Sequence, residues 1–530
     1  MQKTDNVDEI WERLKKCDPR LWIIMISTFI FGLAAHGMVF LNKYCVHDDV
    51  SMFNHLGGTF SSGRWLLGLF EIHFYDWFQS NQYTTPWSHG LLCLIYIAIA
   101  IYLYVDILQI NSKGLCILLS GIVVSFPMFA ALYGYMFDAP YYMLAFFLSV
   151  VGGYIICKYE KNIWALIAGM LILACSMGLY QSYIPNTLSL FSLYFIRYIK
   201  KDWVDLKSAV KKGAYLCMSM VGSFVIYMLL QKMFYHIYSV GLTDNQGISS
   251  WGYEGMVAYV YRIIYAIEYF FNPKDVLGSA SPFQFRGMLL YRIIVALVSG
   301  LCVFKIVVYC KSKKWRISRV ICYCLSVCTF PLCAEFIFVM CNPQIVHILM
   351  TFGMIMPFFG LALVMEDFLY TDLLTDGVGR WLKNSLYAFS AVVLALMLVA
   401  NIRYDNISYL KAELDQSRAI SYFTTLITKI KSTSGYKDEY PVAYINAGSI
   451  SDESLHNIQC FEEIRIQPWV GTVDTVNDYV WWEYMELWCG YGPAQADASA
   501  FIENPIVQNM PSYPDDGSIM VIDNVIVVKF

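Results

Sequence analysis

The sequence predicts an all-α polytopic membrane protein with about eleven transmembrane helices and a small α/β domain at its C-terminus. Three observations predict it. First, 58% of the 530 residues are hydrophobic and only 15% are charged, with a mean hydropathy of +0.50. Soluble domains carry about 25% charged residues, and no soluble core of this length absorbs so much apolar surface. Second, the apolar residues fall into runs close to the roughly 20 residues that a bilayer requires. Third, the last part of the chain, 402–530, shifts to a polar composition with short alternating segments. The aromatic content of 17%, with 40 Tyr and 14 Trp, fits rings anchored at a membrane interface. The lipid bilayer is thus one partner of the chain, and nothing in the sequence calls for nucleic acid.

Spanning helices are expected near 22–41, 87–109, 115–133, 140–157, 163–180, 183–199, 214–236, 288–310, 317–341, 348–365 and 384–401. The two runs flanking Pro185 also read as one broken helix. Before the first span, Asp5 to Arg20 reads as an amphipathic helix on the membrane surface, with Ile10, Trp11 and Leu14 on one face. The first apolar run is too long for a signal-peptide core, so no cleaved leader is expected.

Lys and Arg in the connecting segments set the orientation. With the N-terminus in the cytoplasm, the inner segments hold 22 of them and the outer segments 7. An odd number of crossings then places 402–530 outside. A division follows into a transmembrane domain over 1–401 and an extracytoplasmic α/β domain over 402–530. Phe70–Phe78 and Val257–Phe271, in the two long outer loops, read as helices lying on the membrane.

In the polar region, Leu410 to Ile430 has helical periodicity and Val442–Ile445 reads as a strand. Ser518–Ile522 and Val525–Lys529 alternate around Asp523-Asn524, which reads as a hairpin. Most of the 16 cysteines lie in apolar runs and read as small hydrophobes. Cys460 and Cys489 alone fall in the polar region, where an oxidising space would permit a disulfide. No CxxC pair with metal-ligand spacing appears, so no zinc site is expected.

The residues that can carry chemistry gather at the outer rim. Just past the first span stand His47-Asp48-Asp49. A carboxylate at the edge of a low-dielectric layer has its pKa raised, which suits a general base; a solvated loop with a helix cap is the plainer alternative. The same loop continues Gly57-Gly58-Thr59-Phe60-Ser61-Ser62-Gly63-Arg64-Trp65. A guanidinium among glycines can grip a phosphate with its two-pronged fork, or Arg64 and Trp65 can simply anchor the interface. Asp138, in the short loop Tyr133 to Pro140, is a second acid or a helix cap. Gln181 and Asn186 could bond sugar hydroxyls, with a tyrosine stacking on a sugar face, or could pack helix against helix. Glu254, Arg262, Glu268, Arg286, Asn342, Gln344 and His347 are weaker candidates.

Together, His47-Asp48-Asp49, Ser62-Gly63-Arg64-Trp65, Tyr135 through Asp138 and Tyr180-Gln181-Ser182 resemble the serotype-converting O-antigen glucosyltransferases of the Gtr type II family. The ending, Tyr513-Pro514 through Gly517 and then Val525 to Phe530, is similar to that family's C-terminus. The resemblance covers most of the chain. It implies a GT-C architecture, in which a sugar moves from a polyprenyl-phosphate lipid on the outer leaflet of the bacterial inner membrane to a cell-surface glycan acceptor. It also implies that Asp48 and Asp49 are the catalytic pair and Asp138 a supporting acid. His47, Arg64, Tyr135, Tyr180 and Gln181 then become substrate-binding residues. The long fourth outer loop and the particular C-terminal region depart from the simplest family pattern.

The expected chemistry is a single displacement with inversion. An outer-loop Asp takes the proton of the acceptor hydroxyl, and Arg64 steadies the departing phosphate. No cofactor is expected, and no metal is required, because the leaving group carries one phosphate rather than a diphosphate. The competing reading is a transporter or flippase of lipid-linked sugars. Transporters often carry ionisable residues at mid-membrane and repeat symmetry, whereas here the acids sit at the rim and no internal repeat is visible.

Overall fold

The computed structural model describes residues 17–44, 59–78, 84–201, 204–241, 255–276, 281–283, 286–311, 317–369, 377–447 and 481–530. The expected helix before Arg20, Glu254 and the Cys460 side of the expected disulfide lie outside them.

The chain begins with α1 (Pro19–Leu41), α2 (Trp65–Phe78), α3 (Pro86–Leu108) and α4 (Lys113–Val124). Then come α5 (Pro127–Tyr133), α6 (Ala139–Lys158), α7 (Ile163–Leu179), α8 (Ile184–Ile199) and α9 (Leu206–Tyr238). After these follow α10 (Met256–Phe271), α11 (Arg286–Lys311), α12 (Ile317–Ala334), α13 (Ile337–Met340), α14 (Met356–Leu369) and α15 (Gly377–Ser432). Short polar side chains start several of them. The Asp18, Ser112, Asn162 and Asp205 side chains accept from first-turn N–H groups that would otherwise lack partners.

Among the described residues, seven helices are long and apolar enough to cross a membrane: α1, α3, α6, α9, α11, α12 and α15. The count reaches eight if α4 and α5, bent by 41° across Ser125-Phe126, form one span. By that measure the helices fall short of the expected number. The apolar runs near 163–180, 183–199 and 348–365 are helical, but α7, α8 and α14 have only 17, 16 and 14 residues. Protein covers much of what hydropathy reads as lipid-facing, and Met356 to Glu366 is buried throughout. A helix apolar on all sides reads alike whether protein or lipid surrounds it.

Side-chain contacts sort the helix ends into two layers. In the first, Arg20 at the start of α1 bonds Asp106 at 3.1 Å and the Ile110 carbonyl at 3.0 Å. Lys158, at the end of α6, reaches Asp106 at 2.8 Å. Arg197, at the end of α8, donates to the Ile107 carbonyl at 2.8 Å. Glu366 accepts from the Asn111 and Ser112 N–H groups, and Asp367 holds both Lys305, at 2.8 Å, and Lys200. The opposite layer has fewer cations among the described residues and holds Arg64, Asp138, Gln181 and the His89–Met136 carbonyl contact at 3.0 Å.

Helix α15 runs unbroken for 56 residues, about 84 Å at 1.5 Å per residue. The chain therefore passes residues 401 and 402 within one helix. Its C-terminal part packs against α16 (Trp481–Cys489) and one face of β1 (Val442–Ile445), β2 (Ile519–Ile522) and β3 (Val525–Lys529), while α17 (Ser499–Ile502) and α18 (Pro505–Asn509) cover the other face. The sheet order is β1-β3-β2, with β1 parallel and β2 antiparallel to β3. The hairpin turn is Asp523-Asn524, both at positive φ, 51° and 61°, as a type I′ connection requires. Strand alternation builds two cores. Ile526 and Val528 face Phe423, Leu426 and Ile430 of α15, whereas Val527 faces Val507 and Met510.

Candidate active site

The segment Ser62-Gly63-Arg64-Trp65 forms a tight turn before α2. The Gly63 N–H donates to the Phe60 carbonyl and the Arg64 N–H to the Thr59 carbonyl, both at 2.9 Å. Gly63 has φ +76°, a left-handed conformation that glycine alone adopts without penalty. Space demands glycine as well: a Cβ there would stand 2.7 Å from Tyr227 Oη and 2.9 Å from Gln231 Nε2. Those two side chains come from α9.

Three elements clamp this turn. Tyr227 Oη donates to the Gly63 carbonyl at 3.2 Å. Gln181 Nε2 donates to the Ser62 carbonyl at 3.0 Å and to Tyr227 Oη at 2.9 Å. Trp65 stacks on Phe234, with ring centroids 5.2 Å apart and planes 8° from parallel. On its other side Trp65 lies against Gly178, where a Cβ would come within 2.4 Å of the indole. The backbone carrying Arg64 is therefore fixed between α7 and α9.

From that anchor the half-buried Arg64 side chain reaches α6. Its Nη1 donates to Tyr142 Oη at 2.9 Å. The guanidinium carbon sits 5.0 Å from the Tyr180 ring centroid and 5.6 Å from that of Tyr142, within cation–π range. Its Nε is buried and makes no hydrogen bond among the described residues. Asp138 opens α6, is 3% exposed, and makes no capping bond with its side chain. Its carboxyl faces the Tyr142 hydroxyl and acts electrostatically on Arg64. Burial alone would lower the Arg64 pKa. The neighbouring Tyr142, Tyr180, Asp138 and Tyr227 outweigh it, and the value is held above the ordinary one. The site thus presents a fixed cation, an adjacent acid and stacked aromatic faces, a combination suited to an anionic group joined to a ring-shaped polar one.

The sequence pattern of the family described as Glucosyl transferase GtrII matches residues 37–358, more than half of the chain. The chain belongs to the GtrII family. No curated protein and no solved structure matches it. Membership makes this GtrII chain a membrane glycosyltransferase. The matched stretch contains every candidate residue discussed here from His47 to Gln181 and ends before α15, so the long helix and the sheet lie beyond it.

Of the residues expected at a GtrII site, Arg64, Asp138, Tyr180 and Gln181 come together. Tyr135 lies one turn before Asp138, and its carbonyl accepts the Asp138 N–H at 3.1 Å. His47, Asp48 and Asp49 lie outside the described residues. The Gln181 amide nitrogen is engaged by the Arg64 turn, and the Asn186 amide is fully buried without a hydrogen bond among the described residues. The weaker candidates have other duties. Arg262 points to the Val339 carbonyl at 3.4 Å, Glu268 pairs with Lys274, and Asn342 caps the Gln344 N–H.

Sequence reasoning missed Tyr142, Tyr227 and Gln231. One usable signal existed for Tyr142: it stands four residues after Asp138, on the same face of a helix beginning there. Tyr227 and Gln231 share that spacing, but inside a long apolar run where polar groups ordinarily join helices.

Proposed function

We propose that this GtrII chain moves a hexose, glucose by its family, from a polyprenyl-phosphate donor to a hydroxyl of a surface glycan such as O-antigen. The reaction takes place at the outer leaflet of the bacterial inner membrane. The orientation has the N-terminus in the cytoplasm, about eleven crossings and the α15 end, sheet and C-terminus outside. The cation-rich layer of Arg20, Lys158, Lys200 and Lys305 supports it, since Lys and Arg favour the cytoplasmic face. The transmembrane unit is 1–401. Residues 402–530 form an extracytoplasmic α/β unit that helps to bind acceptor.

The observation that carries the reading is Arg64, clamped by α7 and α9 and held beside Asp138, Tyr142 and Tyr180 in the opposite, cation-poor layer. In the reaction, Asp49 accepts the proton of the acceptor hydroxyl, with Asp48 orienting that hydroxyl. The acceptor oxygen bonds to the anomeric carbon from the face opposite the phosphate. The bond from that carbon to the phosphate oxygen breaks, and its electron pair leaves on polyprenyl phosphate. Arg64 neutralises the charge that develops there, and the anomeric configuration inverts. Asp138 holds Arg64 and Tyr142 in place, and Tyr180, stacked on Tyr142, braces the guanidinium that meets the donor.

The test is incubation of the purified full chain with polyprenyl-phosphate glucose and candidate surface glycans, followed by mass spectrometry. A glycan heavier by one hexose, with the new bond of opposite anomeric configuration, is expected. Movement of the lipid-linked sugar across a vesicle bilayer with no transfer to any glycan would overturn the reading in favour of transport.

A further inference from the structure

A second polar centre lies away from Arg64, buried where α1, the α4–α5 break and α15 meet. His36, on α1, is fully buried. Its Nε2 lies 2.7 Å from the Val124 carbonyl and its Nδ1 2.7 Å from Tyr409 Oη. A carbonyl only accepts, so Nε2 carries the proton of the neutral ring, and Nδ1 accepts from the Tyr409 hydroxyl. Both hydrogen-bonding positions of the ring are thereby used. Asp405 of α15, fully buried and without a hydrogen bond among the described residues, stands 4.0 Å from Nε2.

Each partner of His36 leads to an outer loop. Val124 is the last residue of α4. In a continuous helix its carbonyl would take the Met128 N–H; across the break at Ser125-Phe126 no backbone N–H among the described residues reaches it, and Pro127 has none to give. His36 fills that gap and fixes the direction in which α5 departs. Helix α5 ends at Tyr133, whose ring meets His36 edge-on at 4.9 Å, and the next loop carries Asp138. On the other side, the fully buried Tyr409 ring stacks on Tyr44, with centroids 6.5 Å apart and planes 20° from parallel. Tyr44 is 4% exposed and stands three residues before His47-Asp48-Asp49. Tyr409 belongs to α15, the helix that carries the sheet.

We propose that His36 is a positioning residue for the transfer reaction, setting the chain at Tyr44 and the Asp138 loop in register with each other and with α15. The proposal rests on the reaction assigned above. His36 touches no substrate; it acts through Tyr409 and Val124. Displacing a catalytic group by about 1 Å from a remote position can cost about 10²-fold in rate, so the effect belongs to turnover rather than to donor binding.

The test uses the full chain in detergent or nanodiscs with polyprenyl-phosphate glucose and the acceptor found for the wild type. His36→Ala is expected to lower kcat about 10- to 100-fold while donor KM stays within about threefold. His36→Gln should recover much of the loss, because an amide can donate to Val124 and accept from Tyr409. Tyr409→Phe removes one hydroxyl and keeps the ring on Tyr44; it should lower kcat less, and add nothing further to His36→Ala. Amide hydrogen exchange should rise at Tyr133–Asp138 and at Asn42–Tyr44 in His36→Ala, and fall back in His36→Gln. Should His36→Ala not reach the membrane, Tyr409→Phe and His36→Gln carry the test. Unchanged kcat and unchanged exchange in the variants of an active wild type would overturn the positioning role alone. A raised donor KM at wild-type kcat would also overturn it. A wild type inactive with every acceptor would overturn the reaction, and the positioning role with it.

Discussion

The Tyr142 and Tyr180 rings stack with centroids 4.2 Å apart and planes 11° from parallel, and Arg64 rests against both. The pair joins the start of α6 to the end of α7, so the guanidinium is held by two helices and its own clamped turn.

That arrangement makes Arg64 poorly replaceable by lysine. A compact ammonium cannot bond Tyr142 and a phosphate through one planar fork. Losing a hydrogen bond to a charged group costs about 1.5–3 kcal/mol, which corresponds to a donor KM about 10- to 150-fold higher. Arg64→Lys and Arg64→Ala should both raise donor KM in that range and change kcat less. Steady-state transfer at varied polyprenyl-phosphate glucose checks this, and an unchanged KM in Arg64→Ala would remove Arg64 from the donor site.

Gly63→Ala should destabilise the protein. Left-handed backbone costs a non-glycine residue about 1–2 kcal/mol, and the new methyl would press on Tyr227 Oη at 2.7 Å. The Tm of purified protein should fall and transfer should weaken. Adding Tyr227→Phe deletes the oxygen that the methyl meets and leaves φ unchanged, so part of the lost Tm should return in the double variant. A Gly63→Ala protein with wild-type Tm would mean that the turn relaxes freely.

The membrane class was legible because a bilayer imposes length and apolarity on every segment that crosses it. The number of crossings was harder to read. Helix α14 is wrapped in protein, and its buried phenylalanines, Phe358 and Phe359, look in sequence like lipid-facing ones. The break at Ser125-Phe126 also leaves no mark beyond Pro127. Arg64, Asp138, Tyr180 and Gln181 could be found because each is a polar residue beside an apolar run. Tyr142, Tyr227 and Gln231 could not, because their role depends on which helix faces which. His36 reads as an ordinary histidine in an apolar stretch until the α4–α5 break supplies the carbonyl that it bonds.

Topology offers an independent check. With the cation-rich layer in the cytoplasm, a reporter fused after Phe530 should be active outside it, and one fused within 110–114 or 158–162 should be active inside. Activity of the C-terminal fusion in the cytoplasm would require an even number of crossings, with the two runs around Pro185 joined as one.

In the proposed reaction the acids decide the mechanism. Asp48→Asn and Asp49→Asn each keep the shape of the side chain and remove its ability to take a proton. General-base catalysis is worth about 10²–10⁴-fold, so the loss at saturating donor should fall in that range, with expression, membrane insertion and donor KM preserved. Successive side chains do not point the same way, so one variant should lose far more than the other; the proposed base is Asp49. Asp138→Asn should behave differently. Its carboxyl acts on Arg64 and Tyr142, so neutralising it should weaken the hold on the cation and raise donor KM along with any fall in kcat. Measuring transfer and donor affinity for all three variants separates a base from a positioning acid. Near-normal turnover in both Asp48→Asn and Asp49→Asn would rule out the displacement as drawn and favour movement of lipid-linked sugar across the bilayer instead.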